Sequence, residues 1–278
     1  MTRRRGGFSP CPRVTPSPCR PDILITRFFN GIKMPRFYVS QPRIEDGRLR
    51  IEGDEVKHVR KVLRLKAGDE IVVFDGAGKE YEGRIVDEGP SSVEIMVQNI
   101  FRSEKESHLG IILAQSLLKG EKMDYLIQKA TELGVKEIIP FFSTRSIPRF
   151  EKTNALKRHR RWKKIAIEAS KQCGRGIVPD IEPLQDYSEM VQNISQEFLR
   201  LVLWEKEGAR LKEVLEGSKG KKQIFFIVGP EGGLTSEEVG LAKQNGFTPV
   251  TLGKRILRAE TASLCFLSIL QYEWGDVG

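Results

Sequence analysis

Histidine and cysteine are scarce in this chain, which has three histidines and four cysteines in 278 residues. Cys11, Cys19, Cys173 and Cys265 have no metal-ligand spacing, and three histidines do not make up the shortfall, so neither a metal centre nor a disulfide framework is expected. No apolar run approaches the ~20 residues that span a bilayer, so no membrane partner is expected. The GxGxxG turn is missing, as is the Lys-Ser/Thr that closes a phosphate loop, which argues against nucleotide phosphates as the ligand. What remains is a chain long enough for one large domain or two ordinary ones. Its expected setting is the reducing cytoplasm.

Glycine, by contrast, is placed with purpose near the C-terminal end. The apolar run Ile224 to Val228 reads as a buried strand and stops at Gly229-Pro230-Glu231-Gly232-Gly233. Thr235 with Glu238 three residues on is a capping box, so a helix starts there. Gly246 closes that helix, Thr248 to Leu252 forms a second strand, and Gly253 breaks the chain again. Leu257-Arg258-Ala259-Glu260-Thr261 leads into a last helix whose stripe Ala262, Cys265, Phe266, Ile269 and Leu270 has helical spacing. Two strand ends followed by glycine-bearing loops bring bare backbone together where a ligand can sit. Read bare, the glycines are also two tight turns of an α/β domain.

Positive charge is local. Residues 1 to 33 carry seven Arg or Lys against one Asp, and Lys119 to Arg175 carry fifteen against six acids. Residues 34 to 103 nearly cancel, with twelve basic and thirteen acidic. The first 33 residues hold prolines at 10, 12, 16, 18 and 21 and no core periodicity. An early start, a targeting leader and a basic RNA-touching arm all fit, and a dispensable extension is the favoured expectation. In the helix expected from Asn154 to Gln172, Trp162, Ile165, Ala166, Ala169 and Cys173 form a core stripe. Lys157, Arg158, Arg160, Arg161, Lys163 and Lys164 surround it, either as a solvated face or as a phosphate-binding one.

Between Met34 and Val97 five short strands are expected: 37–39, 49–51, 70–74, 81–86 and 93–97, with a helix from Glu55 to Leu65 that buries Val56, Val59, Val62 and Leu63. His58 reads as a helix-surface or capping residue. Polar residues 100 to 107 suggest a hinge, after which strands and helices alternate, the pattern of a parallel sheet covered by helices.

GPEGGLTxxE followed by LGxRILRxETA resembles the C-terminal signature of the SPOUT class of RNA methyltransferases, and within it the RsmE family. The HxxxVLR pattern at His58, GDEIxxFDG, Lys119-Gly-Glu-Lys and Gln172-Cys-Gly-Arg175 resemble the same family. The resemblance runs over nearly everything from Met34 onward. It implies an α/β protein with an N-terminal PUA-like RNA-binding β-barrel at 34–104 and a SPOUT trefoil-knot domain at 105–278. It implies S-adenosylmethionine-dependent methylation of N3 of a specific uridine in 16S small-subunit ribosomal RNA, carried out by a homodimer. The implied donor pocket is lined by Leu203, Trp204, Glu205, Gly229, Pro230, Glu231, Gly232, Gly233, Leu252, Gly253, Ile256 and Leu257. Arg258 is the candidate donor to a uracil carbonyl, and Glu260 either accepts a proton or orients Arg258; equally, the two only pair with each other and place charge at the start of the last helix. Arg36 is a further catalytic candidate. Lys119, Lys122, Arg160, Arg161, Lys163, Lys164 and Arg175 are the RNA-binding candidates. Leu264 and Leu267, off the apolar stripe, suit either a partner subunit or a groove within one chain. Ribose 2′-O methylation and a non-enzymatic RNA-binding assembly factor are the alternative functions; intact GPEGG and LRAET strings speak against the second.

Overall fold

The computed structural model describes residues 28–29, 32–146 and 152–278. The reading of residues 1 to 33 therefore falls almost wholly outside the described residues. What is described there is a pair of two-residue strands, β1 (Phe28–Phe29) and β2 (Ile32–Lys33).

A six-stranded sheet follows, made of β3 (Arg36–Tyr38), β4 (Ile44–Glu45), β5 (Arg48–Glu52), β6 (Glu70–Phe74), β7 (Lys79–Glu88) and β8 (Ser92–Arg102). Its order is β3-β6-β7-β8-β5-β4, and all pairings are antiparallel except β3 with β6. Strand β5 shows why one face is core: Leu49 and Ile51 are buried while Arg48, Arg50 and Glu52 alternate outward. Phe37, Val56, Val59, Ile71, Val73, Tyr81, Ile85, Val93 and Ile95 complete that core.

The helix expected from Glu55 to Leu65 is replaced by a short helix, α1 (Asp54–Lys57), and a π-helical turn, His58–Val62. Leu63 N–H reaches back five residues to the His58 carbonyl at 3.0 Å, and Arg64 adopts a left-handed φ of 54°. The wider turn carries Leu65 to the core and leaves Val62 68% and Leu63 42% exposed, against the expected stripe. His58 is half-buried there, with Nδ1 3.3 Å from Lys171 Nζ.

The second sheet is wholly parallel. It contains β9 (Gly110–Ser116), β10 (Glu137–Phe142), β11 (Asp180–Ile181), β12 (Gln185–Asp186), β13 (Leu199–Leu203), β14 (Ala209–Arg210), β15 (Gln223–Val228) and β16 (Thr248–Thr251). The order is β11-β10-β9-β15-β13-β16-β14, with β12 also on β10. Helices α2 (Lys122–Glu132), α3 (Lys152–Cys173), α4 (Tyr187–Gln192), α5 (Leu211–Gly217), α6 (Ser236–Gln244) and α7 (Ala259–Trp274) cover it. In β15 the side chains of Ile224, Phe226 and Val228 enter one core and those of Phe225 and Ile227 the other. Burial on both faces is why this strand reads as an unbroken apolar run. The capping box at the start of α6 forms as expected, with Glu238 N–H on Thr235 Oγ1 at 3.2 Å and Thr235 N–H on Glu238 Oε2 at 2.8 Å.

Two expectations change. The buried side of α7 runs through Ala259, Ser263, Phe266, Leu267, Leu270 and Gln271, so Leu267 is fully enclosed by its own chain and Leu264 only half-buried. Phe266 and Leu270 of the expected stripe are buried, and Ala262 and Ile269 pack against the core. Apolarity alone missed Ser263 and Gln271, which are buried with partners: Ser263 donates to Gln115 Oε1 at 2.6 Å and Gln271 to the Leu133 carbonyl at 3.0 Å. The segment read as a hinge is tied down. Strand β8 runs to Arg102, and Glu106 accepts bonds from Arg175 and from the Gly176 and Ile177 amides.

Candidate active site

Parallel neighbours end at one edge, and this sheet uses that edge. Leu203 is in register with Val228 of β15 on one side and Val250 of β16 on the other. The segments that follow the three strands therefore meet. They enclose a cavity of ≈ 670 Å³. All twelve residues implied as a donor pocket line it: Leu203, Trp204, Glu205, Gly229, Pro230, Glu231, Gly232, Gly233, Leu252, Gly253, Ile256 and Leu257. Arg258 and Lys122 line it too.

Glycine is required at two points of this wall. Gly233 has a φ of +68°, and a Cβ on Gly229 would lie 2.9 Å from the Leu234 backbone nitrogen. Gln115, at the end of β9, ties the wall to the last helix. Its Nε2 donates to the Gly229 carbonyl at 3.3 Å, and its Oε1 accepts from Ser263.

The charge at the rim is mixed but mainly positive. Lys122, Lys254, Arg255 and Arg258 line the cavity with Glu205 and Glu231. Lys122 Nζ lies 3.3 Å from Glu231 Oε1 and 3.5 Å from Glu260 Oε1. Burial pushes the Glu231 carboxyl up, but its own amide, the Lys119 amide and Lys122 together hold it below the usual carboxylate range. Helix α7 begins at this rim with no side-chain cap on its first amides, which favours negative charge there. Of the four buried side-chain atoms without a partner among the described residues, two belong to this site, Glu260 Oε2 and the Trp204 indole Nε1; the others, Arg36 Nε and Ser103 Oγ, lie outside it. Such atoms are normally satisfied, so each of the two at the site calls for a group that arrives with a ligand.

Other predicted residues lie elsewhere. Arg36 Nη1 is 2.7 Å from Glu80 Oε2 with both side chains almost fully buried, and its Nη2 donates to the Arg175 carbonyl. Arg175 is itself buried, bonded to Glu106 and to the Thr131 and Val135 carbonyls at the end of α2. Neither side chain faces the cavity or offers an exposed cation. Lys122 lines the cavity and pairs with Glu231, while Lys119 reaches Glu231 only through its backbone amide. On α3, Arg160, Arg161, Lys163 and Lys164 are all exposed. Arg161 pairs with Asp124 at 2.6 Å and Lys164 lies 3.9 Å from Asp54, so acids from other elements temper a run that contains none.

Sequence reasoning passed over Lys254, Arg255, Gln115, Ser263 and Arg145, whose Nη1 donates to the Gly232 carbonyl at 2.9 Å. Lys254 and Arg255 stood inside a quoted motif. Gln115 and Ser263 lie 148 residues apart and carry no local signal. Among the described residues no group of His, Cys, Asp and Glu could hold a metal ion, and no helix is long and apolar enough to cross a membrane.

The profile described as an RNA methyltransferase domain matches residues 105–271, and that described as an RNA methyltransferase PUA domain matches residues 51–97. Fold and site thus define an α/β RNA methyltransferase carrying a PUA domain. Ribosomal RNA small subunit methyltransferase E of Bacillus subtilis is 34% identical over 251 residues, 86% of this chain and 97% of the relative. The crystal structure of the Neisseria gonorrhoeae protein of that name, bound to S-adenosyl methionine, is 36% identical. It covers 88% of this chain and 100% of its own, with a TM-score of 0.81. A Legionella pneumophila methyltransferase with bound SAM is 31% identical over the same shares, also at 0.81. This chain belongs to the ribosomal RNA small subunit methyltransferase E family.

Proposed function

We propose that this chain transfers a methyl group from S-adenosylmethionine to N3 of a specific uridine in 16S ribosomal RNA, within the small subunit or its precursor. The observation that carries the reading is the glycine-walled cavity at the ends of β13, β15 and β16, with Arg258 on its rim and an unpartnered Glu260 oxygen behind it. The names and bound ligand of the relatives support it. The working division of the chain is residues 34–104 and 105–278, with the two loops forming the class's trefoil knot. The working form is a cytoplasmic homodimer that uses the exposed side of α7, where Tyr272 is 70% exposed.

The residues present fit the donor. A Gly229 side chain would collide with Leu234, so the loop can fold tightly along the cavity, and the Trp204 indole N–H awaits an acceptor. Bound there, S-adenosylmethionine supplies an electrophilic methyl on a sulfonium, whose positive charge Glu205 and Glu231 offset. The chain does the rest by position and electrostatics. Arg258 donates to the uracil oxygen on which negative charge grows. Glu260, behind the rim, either accepts the N3 proton released as the N3–C bond forms and the C–S bond breaks or orients Arg258, and Lys122 holds its Oε1 in place.

The test uses the full-length chain, S-adenosylmethionine and unmodified small-subunit ribosomal RNA, followed by mass-spectrometric nucleoside mapping. One N3-methyluridine per RNA is expected. Methyl on a ribose 2′ oxygen, or no transfer, overturns the reading.

A further inference from the structure

The turn after β10 is held more tightly than an exposed turn needs. The hydroxyls of Ser116, Ser143 and Ser146 form a closed triangle with sides of 2.9, 2.8 and 2.9 Å. Ser143 N–H donates to Ser146 Oγ at 2.9 Å, and Ser146 N–H to the Ser143 carbonyl at 3.0 Å. The next amide, Thr144 N–H, donates to Glu238 Oε1 at 2.7 Å, so one carboxylate serves both this turn and the cap of α6. Ser116 and Ser146 are buried, yet the residue held between these ties, Arg145, is exposed.

Arg145 lies along the outside of the glycine loop. A Cβ added at Gly232 would meet nothing nearer than Arg145 Cβ and Cδ, at 3.5 and 3.6 Å. Among the described residues the guanidinium makes one hydrogen bond, to the Gly232 carbonyl, and forms no ion pair. Its charge is nonetheless near enough to help the Glu237 amide and the Thr235 hydroxyl hold the exposed Glu237 carboxyl below its usual range. A lone bond from an exposed arginine adds little stability, so stability does not account for the tethering. Four of five N–H donors remain in a planar fork whose geometry matches a phosphate. Gly232 lines the cavity on its inner side, and Arg258 and Arg255 line it from the other loop. A nucleotide whose base enters this cavity leaves its phosphodiester at the rim.

We propose that Arg145 is a substrate-contact residue that binds an RNA phosphodiester next to the target uridine, aimed in advance by the Ser116–Ser143–Ser146 triangle. The proposal rests on the RNA-methylating reading above and adds to it a residue and the group it binds. A fixed arginine next to the donor loop sets where the strand lies relative to the methyl, so orientation is settled before the base enters.

The test measures three things on wild type, Arg145→Gln, Arg145→Lys and a Ser143→Ala/Ser146→Ala double variant. These are the Kd for an unmodified small-subunit RNA fragment as a function of salt, the Kd for S-adenosylmethionine by calorimetry, and the KM and kcat for methyl transfer. Arg145→Gln should weaken RNA binding and raise the RNA KM about tenfold, and reduce the salt slope by roughly 0.7–0.9, the value of one phosphate contact. Its S-adenosylmethionine affinity should stay within about twofold of wild type. Lysine should restore the slope but not the full affinity, because it lacks the fork. The serine double variant keeps the charge, so it should weaken RNA binding about threefold with the slope intact. Unchanged RNA affinity and slope in Arg145→Gln overturn the proposal. So does a parallel loss of donor affinity, which would make Arg145 only a brace for the Gly232 loop. A wild-type protein that binds no S-adenosylmethionine and methylates no RNA overturns the earlier reading instead.

Discussion

Charged residues gather in two places, the seam between the two sheets and the rim of the cavity, and the two are built in opposite ways. At the seam three buried cations each have a carboxylate, although Arg36 Nε is left without a partner. Arg36 meets Glu80, Arg175 meets Glu106 and Lys171 meets Glu55, each pair within 2.9 Å and each cation at most 8% exposed in its side chain. At the rim Lys254, Arg255 and Arg258 are exposed with no ion-pair partner among the described residues, and Glu260 has a buried oxygen with nothing on it. Matched charges satisfy one another and fix how the parts of the chain sit together. Unmatched charges around a cavity are complementary to something that is not the chain. An arginine in a motif looks the same in either place until its donors are counted.

The comparison breaks most visibly at Arg175. Arg175→Met removes three partners at once: the Glu106 carboxylate and the two carbonyls that end α2. Leaving a buried carboxylate without its cation costs on the order of 3–5 kcal/mol. Glu106 is only partly buried and two amides stay on its Oε1, so the loss should lie at or below the lower end. Urea unfolding should show this loss while turnover per folded molecule is kept. A variant as stable as wild type but unable to bind RNA would move Arg175 from the seam to the RNA-contact set.

Arg258→Ala should do the reverse. Stability should be nearly unchanged, since the side chain is exposed and spans no ion pair among the described residues. Turnover at saturating RNA and donor should fall on the order of a hundredfold, the usual effect of losing a donor to developing negative charge. Arg258→Lys should recover only part of that rate. Single-turnover kinetics beside thermal melting separate the outcomes. A loss of melting temperature in step with activity would make Arg258 structural, as Arg175 is.

What was legible in the sequence was what neighbours in sequence decide. The apolar run of β15, the Thr235–Glu238 cap and the glycines of the cavity wall each depend on a few consecutive residues, and each of the twelve residues the motifs named lines the cavity, though others line it too. What was not legible depends on distant partners. Arg36 and Arg175 are consumed by Glu80 and Glu106, 44 and 69 residues away. Leu267 is buried because Ser263 and Gln271 beside it found hydrogen bonds that let a polar residue share the core face. The π-helical turn hides for a related reason. One extra residue in a turn shifts every later side chain, and nothing in the spacing of Val59, Val62 and Leu63 announces it.

Helix α3 tests the comparison at its finest grain, because its exposed cations are of both kinds. Arg161 is held by Asp124, which also accepts the Trp162 indole N–H at 3.1 Å, and Lys164 stands near Asp54. No ion pair engages Arg160 or Lys163 among the described residues. If this face binds RNA phosphates, Arg160→Gln/Lys163→Gln should remove two contacts and lower the salt slope by roughly 1.4–1.8. Arg161→Gln/Lys164→Gln should do less, because each cation must leave a carboxylate before it can neutralise a phosphate. Its slope should change by less than about one. Titration of RNA binding from low to moderate salt measures both, with donor affinity as the control that should not move. Equal slopes in the two double variants would show that the surface pairs do not restrain their cations. No change in either would make α3 a solvated face, leaving phosphate binding to the cations around the cavity.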